Sequence, residues 1–378
     1  MTRGQDVNSP AVIIVAILFT VVGASAFLIL PILIGAAAED FQLNESQLGF
    51  LSGASMTGST ISALMAIFWV RSVNWRLAMF IAMTVFGFGN LLAILVSEYT
   101  FLLIAIFIAS IGGGTAYSLA LTILSDNENP DRVFGYSIAA QVSFQVIGLL
   151  AFPTVIGMGG FDALLAILSA LAIMSLFAIS FLPISGKDVR LSNVFQIFTQ
   201  TRVVFALLGC LFFFFNVGCF WTFIGRMGDT YGYSPQVIGN SLALGVSAGI
   251  VGSLCASWFG NRHGRLMPLF ASALGTVIAA TLLISSEALL IYVLAVALYN
   301  FVWNYSLAYQ YAVVADVDES GRSVAIAPAF HAAGAAMGPA FAGMMVIEEG
   351  FIIINILVAL SVMISFALFI PACRMEQT

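Results

Sequence analysis

The side chains of this sequence that could do chemistry are few. They are amides, aromatic hydroxyls and one deeply placed imidazole, strung along stretches otherwise made of Leu, Ile, Val, Phe and Ala. Wound as a helix, Asn300, Trp303, Asn304 and Tyr311 share one arc, with Tyr305 and Tyr309 opposite. Asn216, Cys219, Thr222 and Arg226 share a broad arc of a second stretch, and Gln141 and Gln145 lie on one face of a third. Polar groups are costly in apolar surroundings, so each face must look into a cavity or onto a partner helix. The first case gives hydrogen-bonded recognition of a solute; the second is a bond that holds a bundle. Asn300 and Asn304 are expected to face a cavity, while Gln141 and Gln145 fit either reading equally. His331 is the titratable group deep in such a stretch, and an imidazole can exchange a proton in the physiological range. A neutral His donating one bond to a neighbouring helix is the competing reading. Arg226 either draws an anionic group to a cavity mouth or pairs with Asp229, three residues on.

These groups are carried by a chain whose composition leaves one broad class. Hydrophobic residues make up 61% and charged residues 8% of 378 positions, with a mean hydropathy of +1.07, so this is a polytopic, all-helical membrane protein. A net charge of -6 and scattered basic residues exclude a phosphate-tracking stripe, and nucleic acid is not an expected partner. The four cysteines have no CxxC spacing and read as small hydrophobes. HExxH, GxSxG, a P-loop and Cys/His clusters are absent, so neither an enzyme, a metal, a cofactor nor an ATP-driven pump is expected.

A bilayer core needs about 20 apolar residues per helix, and twelve segments meet that length. They cover 11–36, 46–70, 77–97, 100–125, 134–157, 162–183, 202–226, 235–259, 266–286, 288–315, 323–346 and 350–372. The stretch 184–201, with Lys187, Asp188 and Arg190, separates an N-terminal six-helix bundle (1–183) from a C-terminal one (202–378). With both termini inside, eleven of the twelve basic residues, Arg3 among them, fall on or near the cytoplasmic face, and Arg226 alone falls outside.

The chain also repeats itself. Gly49 and Gly239 follow similar polar openings and are 190 residues apart, as are Asp126 and Asp316, and Arg132 and Arg322. Arg76 and Arg265 are 189 apart, as are Ser97-Glu98 and Ser286-Glu287. His331 is equivalent to Gln141, since 331 minus 141 is 190. A near-constant offset means two six-helix halves of parallel topology, the arrangement of transporters that rock about a midplane site.

Asn261-Arg262-His263-Gly264-Arg265-Leu266, and its worn copy ending in Arg76, resemble the Asp-Arg-x-Gly-Arg-Arg loop of the major facilitator superfamily. Gly334-Ala335-Ala336-Met337-Gly338-Pro339 is similar to the Gly-x-x-x-Gly-Pro element of that family's exporters, although here it sits in the eleventh helix. The resemblance implies that the first helix of each three-helix unit lines a central cavity. It also implies that Arg76 meets Asp126 and Arg265 meets Asp316 as latches of a cytoplasmic gate. The function expected is a secondary active or facilitative transporter moving a small organic solute by rocker-switch alternating access in the inner membrane, working as a monomer, with protons an open co-substrate. The alternatives are a proton-driven drug or metabolite exporter, and a transporter-shaped receptor that no longer transports.

Overall fold

The computed structural model describes residues 6–128, 130–186, 199–318 and 322–374; Arg3, Lys187, Asp188 and Arg190 lie outside them. The described chain is helical, in twelve helices α1 (Pro10–Leu28), α2 (Leu30–Phe41), α3 (Glu45–Trp69), α4 (Trp75–Leu95), α5 (Tyr99–Ser125), α6 (Pro130–Leu176), α7 (Thr201–Thr230), α8 (Pro235–Phe259), α9 (Leu266–Ser285), α10 (Leu289–Asp316), α11 (Arg322–Glu349) and α12 (Ile352–Arg374). Among the described residues, ten helices are long and apolar enough to cross a membrane.

The count of twelve hides two differences from the expected spans. The first span breaks into α1 and α2 at Ile29, whose backbone (φ -106°, ψ 12°) is not helical, two residues before Pro31. Pro31 lacks an N–H and so cannot continue the ladder. The fifth and sixth spans run together as α6, whose 47 residues are far longer than a bilayer crossing needs. The helix turns at Gly159 and Gly160, where Gly160 takes φ +62°, a conformation that favours glycine. The Asp40 carboxylate accepts the next N–H, from Phe161, at 2.7 Å.

Several helix starts follow from local sequence. Asn44 and Gln47 cap α3 reciprocally, each backbone N–H bonding the other's side chain at 3.0 Å. Asn74 caps α4 through Arg76 N and Leu77 N, and Ser234 caps α8 with Pro235 at its first turn.

The chain divides into two compact units, residues 1–43 with 54–190, and residues 44–53 with 191–378. The first turns of α3 therefore group with the second unit, which a simple division at 184–201 did not anticipate. In the first unit α4 packs on α5 and α6, and α1 packs on both α5 and α6. In the second, α7 is flanked by α11 and α12, while α10 lies against α8 and α9.

Candidate functional site

The second unit gathers its chemistry-bearing side chains where α7, α10 and α11 meet. The meeting depends on glycines. A Cβ at Gly334 or Gly338 of α11 would collide with the carbonyl oxygens of Leu211 or Phe215 on α7, and one at Gly218 would lie 2.5 Å from the Ala335 oxygen. The Gly-x-x-x-Gly-Pro element thus works here as a close-packing face between α11 and α7.

That approach brings His331, one turn before Gly334, flat against Phe214, with ring centroids 4.1 Å apart and planes at 23°. The Tyr311 hydroxyl from α10 lies 3.3 Å from His331 Nδ1. Trp303, two turns earlier on α10, packs edge-on to Phe214 with centroids 6.2 Å apart, and also meets Trp221 and Tyr299. Tyr299 stacks on Phe220 at 3.5 Å and donates its hydroxyl to Asn216 Oδ1.

Two buried polar atoms of this aromatic cluster, His331 Nε2 and Trp303 Nε1, have no hydrogen-bond partner, and neither has Oγ1 of Thr222, the chain neighbour of Trp221 on α7. His331 is 5% exposed and Thr222 fully buried. Such groups cost about 1–3 kcal/mol each when left unbonded, and native proteins keep few of them. Phe214, Trp221 and Tyr299 were not singled out from sequence. Phe214 sits in the run Phe212–Phe215, where apolar residues on every side erase the periodic signal.

Other expected cavity residues are engaged elsewhere. Asn300 and Asn304 are bonded within their own helix. Their amides donate to Val296 O (2.9 Å) and Asn300 O (3.0 Å). They lie against the glycine face of α8, where a Cβ on Gly245 would be 3.2 Å from Asn300 Nδ2 and one on Gly249 2.5 Å from Asn304 Nδ2. This is the contact that the packing alternative calls for. Gln145 donates to Leu28 O at 3.1 Å, a carbonyl released where Ile32 N turns back to Ile29 O at the α1–α2 break. Gln141 donates to Ser137 Oγ (3.1 Å), which in turn bonds Thr20 of α1 at 2.7 Å. Gln141 and His331, equivalent in the repeat, thus have different settings.

Arg226 is not an open anion site. Its guanidinium is held by Glu45 at 2.9 Å and Asp229 at 2.6 Å, so two carboxylates already face one cation.

The charges at the helix ends need one correction. Arg265 Nε lies 3.1 Å from Asp316, both side chains partly exposed. Arg76, however, donates to the Leu182 carbonyl at 2.6 Å, and the ion partner of Asp126 is Arg71, at 2.7 Å. Because Asn74 caps α4, Arg76 is committed to its first turn. Arg71, in the preceding loop, lies over the buried Trp75 ring at 5.9 Å and reaches both Asp126 oxygens.

A sequence profile described as the Major Facilitator Superfamily matches residues 15–204 and 206–375. No curated protein sequence matches the chain. Among solved structures, the nucleoside transporter NupG is similar at a TM-score of 0.79 and 13% identity, covering 95% of this chain and 97% of that one. The D-xylose–proton symporter gives 0.78 and 14%, covering 94% and 96%. A bacterial homologue of the human lysosomal transporter Spinster, inward-facing and occupied, gives 0.80 and 14%, covering 98% of each. At these identities the structural likenesses speak for the fold.

Proposed function

The chain belongs to the Major Facilitator Superfamily, and from that premise we propose that it carries a small organic solute across a membrane by alternating access, holding the solute at the aromatic cluster of α7, α10 and α11. The observation that carries the choice of site is the set of buried, unpartnered polar atoms on His331, Trp303 and Thr222. Sequence alternation alone cannot produce them, and a packed core has no use for them. A solute that bonds them would offset a cost already present in the protein.

The similar structures support the scale of cargo, since one is described as a nucleoside transporter and another as a xylose–proton symporter. The distribution of basic residues supports cytoplasmic termini and a cytoplasmic position for the Arg71–Asp126 and Arg265–Asp316 pairs. These pairs act as latches that bias which face is open: ion pairs that form in one conformation and part in another shift a two-state equilibrium by their difference in strength. The Gly334–Pro339 element is fully employed in packing α11 on α7, so it does not argue for export.

Uptake by purified protein in proteoliposomes tests the proposal. Saturable flux of an organic solute, weakened when Phe214 is replaced by Ala, is expected. Binding without flux, for every compound that binds, would instead make the protein a receptor.

A further inference from the structure

Resting on the site proposed above, we infer that the cargo is a flat, uncharged heteroaromatic or lactam-like solute with a carbonyl-type acceptor, not a sugar, an organic anion or a cation. The inference follows from which polar groups in the protein remain available and which are already used.

Recognition of a polyol needs an array of amides or carboxylates to match its hydroxyls. Each of the buried or half-buried amides along the candidate faces spends an N–H within its own bundle. Asn216 donates to Phe213 O, Asn300 to Val296 O and Asn304 to Asn300 O. Gln141 donates to Ser137, Gln145 to Leu28 O and Gln310 to Ser306 Oγ. An anion would need a cation, and Arg226 is held between Glu45 and Asp229. A cationic solute would be served best by a carboxylate beside the rings, and none of Phe214, Trp221, Trp303, Tyr311 and His331 carries one.

Besides the hydroxyl of Thr222 and the Oε1 of Gln310, the unpartnered polar atoms of α7, α10 and α11 at this cluster are carried on rings. Trp303 Nε1 is a donor and nothing else, buried and without a partner. His331 Nε2 is also unpartnered, and its role is set by Tyr311 at Nδ1. If the Tyr311 hydroxyl donates to Nδ1, Nε2 carries the proton and the cluster offers two N–H donors. If Nδ1 donates to the hydroxyl oxygen, Nε2 accepts, and the cluster offers one donor and one acceptor. Either pattern suits a carbonyl or lactam edge. Both rings pack on Phe214, so the polar atoms belong to an apolar, ring-walled setting that favours a planar solute body.

The experiment is uptake and thermal-shift binding with the full protein against four kinds of probe: uracil, hypoxanthine and nicotinamide; D-xylose; benzoate; and choline. Uptake of a planar neutral probe is expected, with its apparent KM raised about 2- to 12-fold by Trp303→Phe, the worth of one hydrogen bond, while thermal stability stays at the wild-type level. A purely structural Trp303 would leave KM unmoved, and that result overturns the inference. Uptake confined to xylose, benzoate or choline overturns the solute class and leaves transport standing. Binding of a planar neutral probe without its movement overturns transport and leaves the class standing. Neither binding nor movement of any probe overturns both.

Discussion

Removing the charge of Asp126 should damage the protein far more than removing that of Asp316, although the two residues are equivalent in the internal repeat. The Asp126 side chain is 3% exposed and takes two hydrogen bonds from Arg71, at 2.7 and 2.8 Å. Breaking a fully buried ion pair costs about 3–5 kcal/mol because the surviving charge is stranded. Here Arg71 is 23% exposed and rests on Trp75, so water repays part of that loss. A cost of about 2–3 kcal/mol is expected for Asp126→Asn, in line with the loss of a charge-assisted bond. The Asp316 side chain is 48% exposed and accepts one bond from Arg265 at 3.1 Å, so Asp316→Asn should cost about 0–1 kcal/mol. For a unit of this size about 1 kcal/mol moves the midpoint by about 2–4 °C. Thermal unfolding of purified protein in detergent should therefore separate the two variants by several degrees. A double-mutant cycle identifies the partner: Arg71→Gln should couple strongly with Asp126→Asn, and Arg76→Gln should simply add. Equal midpoints for the two Asp variants, or coupling through Arg76 instead of Arg71, would refute the reasoning.

Three further outcomes are expected. Gly338→Ala drives a methyl group into the Phe215 carbonyl, so it should lower stability by about 1–3 kcal/mol and reduce uptake by parting Phe214 from His331, both readable in the same preparation. Arg226→Gln leaves Glu45 and Asp229 facing each other, so it should destabilise more than Glu45→Gln, which keeps the Arg226–Asp229 pair; thermal midpoints decide the order. Proton coupling would fall to His331: His331→Gln that keeps solute binding but abolishes the pH dependence of uptake assigns the proton to this ring, and an unchanged profile removes it.

Much of the fold could be read directly from the residues. Twenty-residue apolar stretches are an unambiguous signal because lipid accepts little else, and the 190-residue offset shows as matched charges and glycines at helix ends. The two departures are local. The first span breaks beside Pro31, and the fifth and sixth join through Gly159 and Gly160, where the helical ladder continues on both sides of the turn.

The site was less legible, and the reason is geometric. Periodicity says which residues share a face of one helix, but not what stands opposite that face. Asn300 and Trp303 lie on the same arc of α10, yet Asn300 meets the glycines of α8 while Trp303 meets Phe214 of α7. The run Gly245, Gly249, Gly252 in α8 was the available clue that a neighbour's side chains would fill that groove. The repeat likewise points to Arg76 where the structure pairs Arg71 with Asp126, because a repeat aligns sequence positions while an ion pair forms wherever a side chain can reach. By itself, then, the sequence determined a twice-written bundle of membrane helices with its charges at the ends, since hydrophobicity and charge act residue by residue. Only tertiary packing decided which polar groups are used up and which, on Trp303 and His331, are left without a partner, because satisfying a hydrogen bond depends on the surface that arrives from another helix.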